Sequence, residues 1–295
     1  MPVNDYLKYV IKILHDRLLE SDGRVVGVRF NKFLYLLDRD LRKDRRRPID
    51  LKLPYRWYFY GVIPVQYQLS SCYIYSHPEE EWRTTVKLKP YPLPEIPPEE
   101  ADFIEDHLSA HLGTFPSDKD TNGLIDYTYR DSEMEFVQES RELYKALENS
   151  RYANITIQGY LENRSEAFLQ AFPNRAPYLR LKPFLMRASP PLRYCCNSNH
   201  QHIGMASKIH WTIWEMFCHI MGIDNSMMSE HVDPDSKAYL KQVEVEKWKL
   251  FKLEYRNMLD TFYTQIYKEV PDERVESLLD DFRALLMEEY LQAQR

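Results

Sequence analysis

The sequence predicts a mainly helical α+β fold: a helical N-terminal domain with a small antiparallel sheet, followed by a helical C-terminal domain. Three observations carry that prediction. Apolar residues recur at helical spacing along most of the chain. Arg56-Trp57-Tyr58-Phe59-Tyr60 is too short and too aromatic for an amphipathic helix and reads as extended. Five prolines between Pro90 and Pro98 break the periodicity with a stiff connector. A length of 295 residues favours two domains. They are placed at 1–149, with the connector 90–98 inside, and 150–295.

Each element follows from local chemistry. Asn4-Asp5 can cap a first helix whose apolar positions run Tyr6, Tyr9, Val10, Ile13, Leu14 and Leu18, stopping at Ser21-Asp22-Gly23. A second helix carries Phe30, Phe33, Leu34, Leu37 and Leu41 on one face, with Asn31, Lys32 and Arg39 elsewhere. After the aromatic strand, Gly61 and Pro64 turn the chain into a short helix over Val65–Tyr75. Trp82–Leu88 alternates as a strand able to pair with the aromatic one. Helices are expected over Glu99–Leu112, from Thr121 to about Tyr129, and over Glu133–Asn149. Prolines 173, 177, 183, 190 and 191 predict an irregular stretch from about 170 to 200. Long helices return at Ile203–Met221, Ser236–Tyr267 and Asp272–Gln292. The last is acidic, with seven acidic and three basic residues from Val270 to Arg295, yet keeps an apolar stripe that packs on something.

Composition excludes several function classes. A 44% hydrophobic and 28% charged chain is globular rather than disordered. Only 8 glycines are present, with no G-x-G-x-x-G and no G-x-x-x-x-G-K-[ST], so the common phosphate-cradling loops are missing and no cofactor is expected. A net charge of −6 opposes nucleic-acid binding by the surface as a whole. Four cysteines without a disulfide spacing, no basic-then-apolar start and no long apolar span point to the cytoplasm, away from membranes.

Few residues offer chemistry. Arg39, Arg42, Lys43, Arg45, Arg46 and Arg47 against Asp40 and Asp44 make a local charge of +4. That run is either a solvated helix end, where the dipole favours cations, or a docking patch for an acidic protein or a nucleic-acid backbone. Cys195, Cys196, His200 and His202 are metal-ligand types and form the weak metal alternative, but adjacent cysteines bite one ion more poorly than C-x₂-C does, so no metal is expected. Arg193 and His200, six residues between them, have the spacing of HEPN-type helical ribonucleases; this is the weak catalytic alternative in a chain otherwise read as non-enzymatic. His210 on its apolar helix reads as a satisfied core histidine, and no G-x-S-x-G frames a serine.

Taken in order, four stretches resemble the Panacea domain, the SocA-like antitoxin family, over about residues 1–137. They are Asn31-Lys32-Phe33-Leu34-Tyr35-Leu36-Leu37-Asp38, then Trp57-Tyr58-Phe59-Tyr60-Gly61, the helix through Phe103, Ile104 and Leu108, and Leu124-Ile125-Asp126-Tyr127-Thr128-Tyr129. Val62 stands where the family has proline, and Pro64 follows two residues later. The resemblance implies a helical fold with a small sheet that binds another protein. Such domains neutralise a partner or deliver it to a protease, and they share no catalytic constellation. It further implies a partner encoded by a neighbouring gene, as in toxin–antitoxin pairs; the rival reading is a nucleic-acid-associated component of a prokaryotic defence or regulatory system. The partner-binding residues expected here are Arg42, Lys43, Arg45, Arg46, Arg47, Trp57 and Tyr60, with nucleic acid on the run 39–47 as the rival.

Overall fold

The computed structural model describes residues 4–19, 23–53, 55–58, 61–64, 72–76, 84–153, 159–197, 202–228 and 234–269. Among these the fold is mainly helical with two small hairpins. In chain order come α1 (Asp5–Leu18), α2 (Gly27–Lys43), β1 (Tyr55–Tyr58), β2 (Gly61–Pro64), β3 (Tyr73–Ser76) and β4 (Thr85–Leu88). Then follow α3 (Pro98–Thr114), α4 (Thr121–Arg130), α5 (Glu135–Ala153), α6 (Tyr160–Gln170), α7 (Lys182–Asn197), α8 (Ile203–Met228) and α9 (Pro234–Glu269). The expected acidic helix after Val270 lies outside the described residues.

The sheet differs from expectation. Gly61–Pro64 is not a turn but a strand, and it pairs antiparallel with β1, Trp57 opposite Val62. The strand near Leu88 pairs with β3, not with β1. Tyr73–Ser76 is therefore extended, where a helix ending at Tyr75 was expected; residues 65–71 of that helix lie outside the described set. Tyr73 is buried against Phe30, centroids 5.1 Å apart, and tertiary packing of this kind outweighs local helix propensity. β4 also meets the start of α2: Gly27 donates to the Thr84 carbonyl at 2.8 Å and Val86 to the Val25 carbonyl at 2.8 Å. The strand thereby takes up one of the orphan N–H groups at that helix end.

α2 is the hub. It is buried on nearly every side, so Asn31, Lys32 and Arg39, expected off the apolar face, are interior as well. An interior cation needs a partner. The Lys32 ammonium donates to the Val62 carbonyl at 2.7 Å. Burial, and then the charge of Arg141, hold its pKa well below the ordinary lysine value. Arg39 is paired with Asp131 and with Asp40, whose other oxygen lies 2.9 Å from His111 of α3. Arg29 closes the far end by donating to the carbonyls of Phe115 and Ser117.

The connector runs as expected, without helix or strand, from Lys89 to Pro97, held to α1 where the Tyr91 hydroxyl donates to the Lys8 carbonyl at 2.9 Å. It ends as Pro98 opens α3, a position where the missing N–H costs nothing.

The irregular stretch expected at 170–200 is instead largely α7, with Pro190 and Pro191 inside it. Internal proline costs a helix about 3 kcal/mol through the lost N–H and the ring clash. Burial of Phe184, Leu185, Leu192, Cys195 and Cys196 offsets that cost.

The expected boundary at 149/150 falls inside α5, and one buried cluster runs from Leu7 to Ile266 across it. Aromatic rings carry the continuity. Trp57 lies 6.0 Å from Tyr35 and 4.9 Å from Tyr129, and Tyr129 lies 6.1 Å from Trp214. Trp214 and Phe217 then surround Phe136 together with Phe168 and Phe172. Asn225 of α8 donates to the Tyr55 carbonyl at 2.6 Å, tying the C-terminal helices directly to β1.

Candidate functional site

A concave feature lies where β1 meets the long helices α8 and α9. Helical periodicity builds it. On α8, Trp211 and Glu215 are four residues apart and share one ridge, while Trp214 and Cys218 share the next. On α9, Lys247, Leu250, Phe251 and Glu254 repeat at three- and four-residue intervals and so form one wall. Trp57 reaches the same space from the opposite end of the sequence. The resulting groove has a volume of about 370 Å³. Its inner part is fixed, because Trp57, Trp214, Met216 and Phe251 are all buried. Its outer wall is not covered: Leu250 is 52% exposed and Leu253, one turn further, 55%.

Electrostatically the groove leans negative. Glu215 and Glu254 line it, and no cation among the described residues lies within ion-pair distance of either. Neighbouring acids differ: Glu244 holds Arg180 at 2.5 Å and Glu246 holds Lys249 at 2.8 Å. Lys247 also lines the groove but forms no such pair. Cys218 and His219 both contribute, yet consecutive residues diverge by about 100° around a helix, a poor arrangement for a nucleophile and its base.

The expected site residues are scattered by comparison. Trp57 does line the groove. Tyr60 lies outside the described residues. The basic run sits at the end of α2 and is largely engaged within the molecule. Arg42 donates to the Tyr55 hydroxyl at 3.2 Å, Lys43 lies 2.8 Å from Glu133, Arg46 3.0 Å from Asp44, and Arg47 3.1 Å from Glu99. The Arg46 guanidinium holds the Asp44 carboxyl down at about 2. Arg45 is exposed and makes no ion pair among the described residues.

Arg193 is spent on Glu166, 2.7 Å away, and its expected companion His200 is outside the described residues. Cys195 and Cys196 are buried in α7, where burial pushes the Cys196 thiol up to about 12. His202 is buried with its ring 5.6 Å from that of Tyr194. No group of three metal-ligating side chains comes together among the described residues. His210 is the core histidine expected: its Nε2 lies 2.8 Å from Ser140 Oγ, and burial lowers its pKa to about 4. No described helix is long and apolar enough to cross a membrane.

Sequence reasoning placed Trp211 and Trp214 on a strongly apolar helix and passed over Glu215, Leu250 and Glu254. The available signal was the acid at Glu215, set into the apolar stripe one turn after Trp211. Comparison with family models, with curated proteins and with solved structures returned no match.

Proposed function

We propose that the chain is a non-enzymatic protein-interaction module, antitoxin-like or an adaptor, which restrains a partner protein by holding it in the groove between α8 and α9. One observation carries this reading: a tryptophan-lined groove of about 370 Å³ whose outer wall runs on into two exposed leucines. Tryptophan at a concave site flanked by open apolar surface is the composition of a binding hot spot. The resemblance of the N-terminal segment to Panacea domains supports a binding role too, and Trp57 of that segment forms part of the groove. The internal pairing of Arg42, Lys43, Arg46 and Arg47 favours the groove over the basic run as the docking surface.

The test is co-purification from the native host, comparing the wild-type chain with Leu250→Asp/Leu253→Asp. Both positions are more than half exposed. Stability is therefore expected to change by no more than roughly 0.5 kcal/mol per site. A stoichiometric protein partner recovered with the wild type and lost with the variant is the expected result. Equal recovery with both chains refutes docking at the groove. Nucleic acid recovered without any protein would put the nucleic-acid reading in its place.

A further inference from the structure

The groove has a chemical preference that its shape alone does not convey. Glu215 and Glu254 line the same space as the indoles of Trp211 and Trp214. Both carboxylates are exposed, yet they border rings and apolar walls, where an ion that docks sheds part of its water and the attraction strengthens. The faces of indole rings carry negative electrostatic potential and attract cations most strongly of all the aromatic side chains. Two carboxylates against the single Lys247 leave the lining with one uncompensated negative charge. The apolar surface beside it, Leu250 and Leu253, needs a cover that is itself apolar.

Building on the docking role of the groove, we infer that its occupant is a basic amphipathic segment of the partner protein. An arginine or lysine from it meets Trp211, Glu215 and Glu254, and the apolar residues of the same segment cover Leu250 and Leu253. Arginine suits the site better than lysine, because its planar guanidinium stacks on an indole while its edge donates to a carboxylate. The groove rejects an acidic segment for the same electrostatic reason.

The experiment follows the intrinsic fluorescence of the full chain, since three of its five tryptophans line the groove. Three synthetic helical peptides serve as probes: one with arginine and leucine at alternating three- and four-residue spacing, and two copies with every arginine replaced by glutamine or by glutamate. The arginine peptide is expected to bind about tenfold tighter than the glutamine peptide, the scale of one cation–π contact plus exposed ion pairs. That advantage is expected to shrink in Glu215→Gln/Glu254→Gln, which removes the ion pairs, and in Trp211→Leu, which removes a ring. The two glutamates are exposed, so their replacement leaves the fold intact, which an unchanged thermal midpoint verifies. Glutamine or glutamate peptides binding as well as the arginine one, or an advantage undiminished by loss of both carboxylates, overturns the inference. The docking role is judged separately. A partner lost by Leu250→Asp/Leu253→Asp but retained by Glu215→Gln/Glu254→Gln leaves that role standing and removes only the basic segment.

Discussion

Replacing Gly61 by alanine is expected to destabilise the protein by about 2–4 kcal/mol, the sum of a strained backbone and an overpacked core. Gly61 opens β2 with φ at +89°, a region where a side chain is strained. A Cβ there would also stand 3.0 Å from Lys32 Cε, 3.1 Å from Lys32 Nζ and 3.3 Å from Thr128 Oγ1. Lys32 cannot easily yield. It is fully buried, and its ammonium is held by the Val62 carbonyl next to the substituted residue. Pushing it aside breaks a charged hydrogen bond in the interior, which is costlier than a surface one. Gly23 is the internal control: its φ is +79° but nothing lies within 4 Å of its Cβ position. Gly23→Ala should therefore show the backbone cost alone, about 1 kcal/mol. Urea midpoints for the two variants decide the matter. Equal losses would mean that the Lys32 contact contributes nothing.

The same corner of the molecule shows how far the sequence could be read. Helix positions were legible because each buries one stripe, and periodicity reports a stripe directly. α2 escapes that logic. Its apolar face was found, but helices and hairpins surround it, so residues on its far side are interior too. Lysine at position 32 looked like solvent surface because its charge normally needs water, and only Gly61 and the Val62 carbonyl make room for it. Strand pairing was misread for a different reason. Alternation says that a segment is extended, not which neighbour it meets, and β1 pairs with its immediate successor while β4 pairs with β3. In α7, two prolines suppressed a helix that tertiary burial sustains. The groove was the least legible feature. Trp211 and Trp214 sit in an apolar stripe indistinguishable from core, Leu250 and Leu253 belong to a different helix, and Trp57 is more than 150 residues away in the chain.

Two buried groups should give the protein opposing pH responses that largely conceal each other. Asp38 on α2 is buried, and burial raises its pKa to about 6; Arg42 and the Tyr55 hydroxyl, 3.1 Å away, only partly hold it down, and Asp50 pushes it further up. The folded state keeps this proton up to pH 6, whereas the unfolded chain releases it near 3.8. Between those values the native state binds more protons, so the contribution of Asp38 to stability falls as pH rises and stays low above 6. His210 behaves the other way. Its pKa drops from 6.5 to about 4 through burial beside Ser140 and Phe168. There the unfolded chain binds more protons, so stability is lost as pH falls from 6.5 towards 4. At about 1.4 kcal/mol per pH unit, each shift is worth on the order of 3 kcal/mol, with opposite signs in nearly the same window. Asp38→Asn, which can keep a hydrogen bond to Tyr55, is expected to match the wild type near pH 4 and to exceed it by about 3 kcal/mol at pH 7. His210→Gln should gain by a similar amount relative to the wild type as pH falls from 7 to 4, and the double variant should do both. Urea midpoints taken as differences from the wild type cancel the remaining carboxylates. Difference curves that stay flat from pH 4 to 7 would show that neither group titrates in the folded interior as its surroundings dictate.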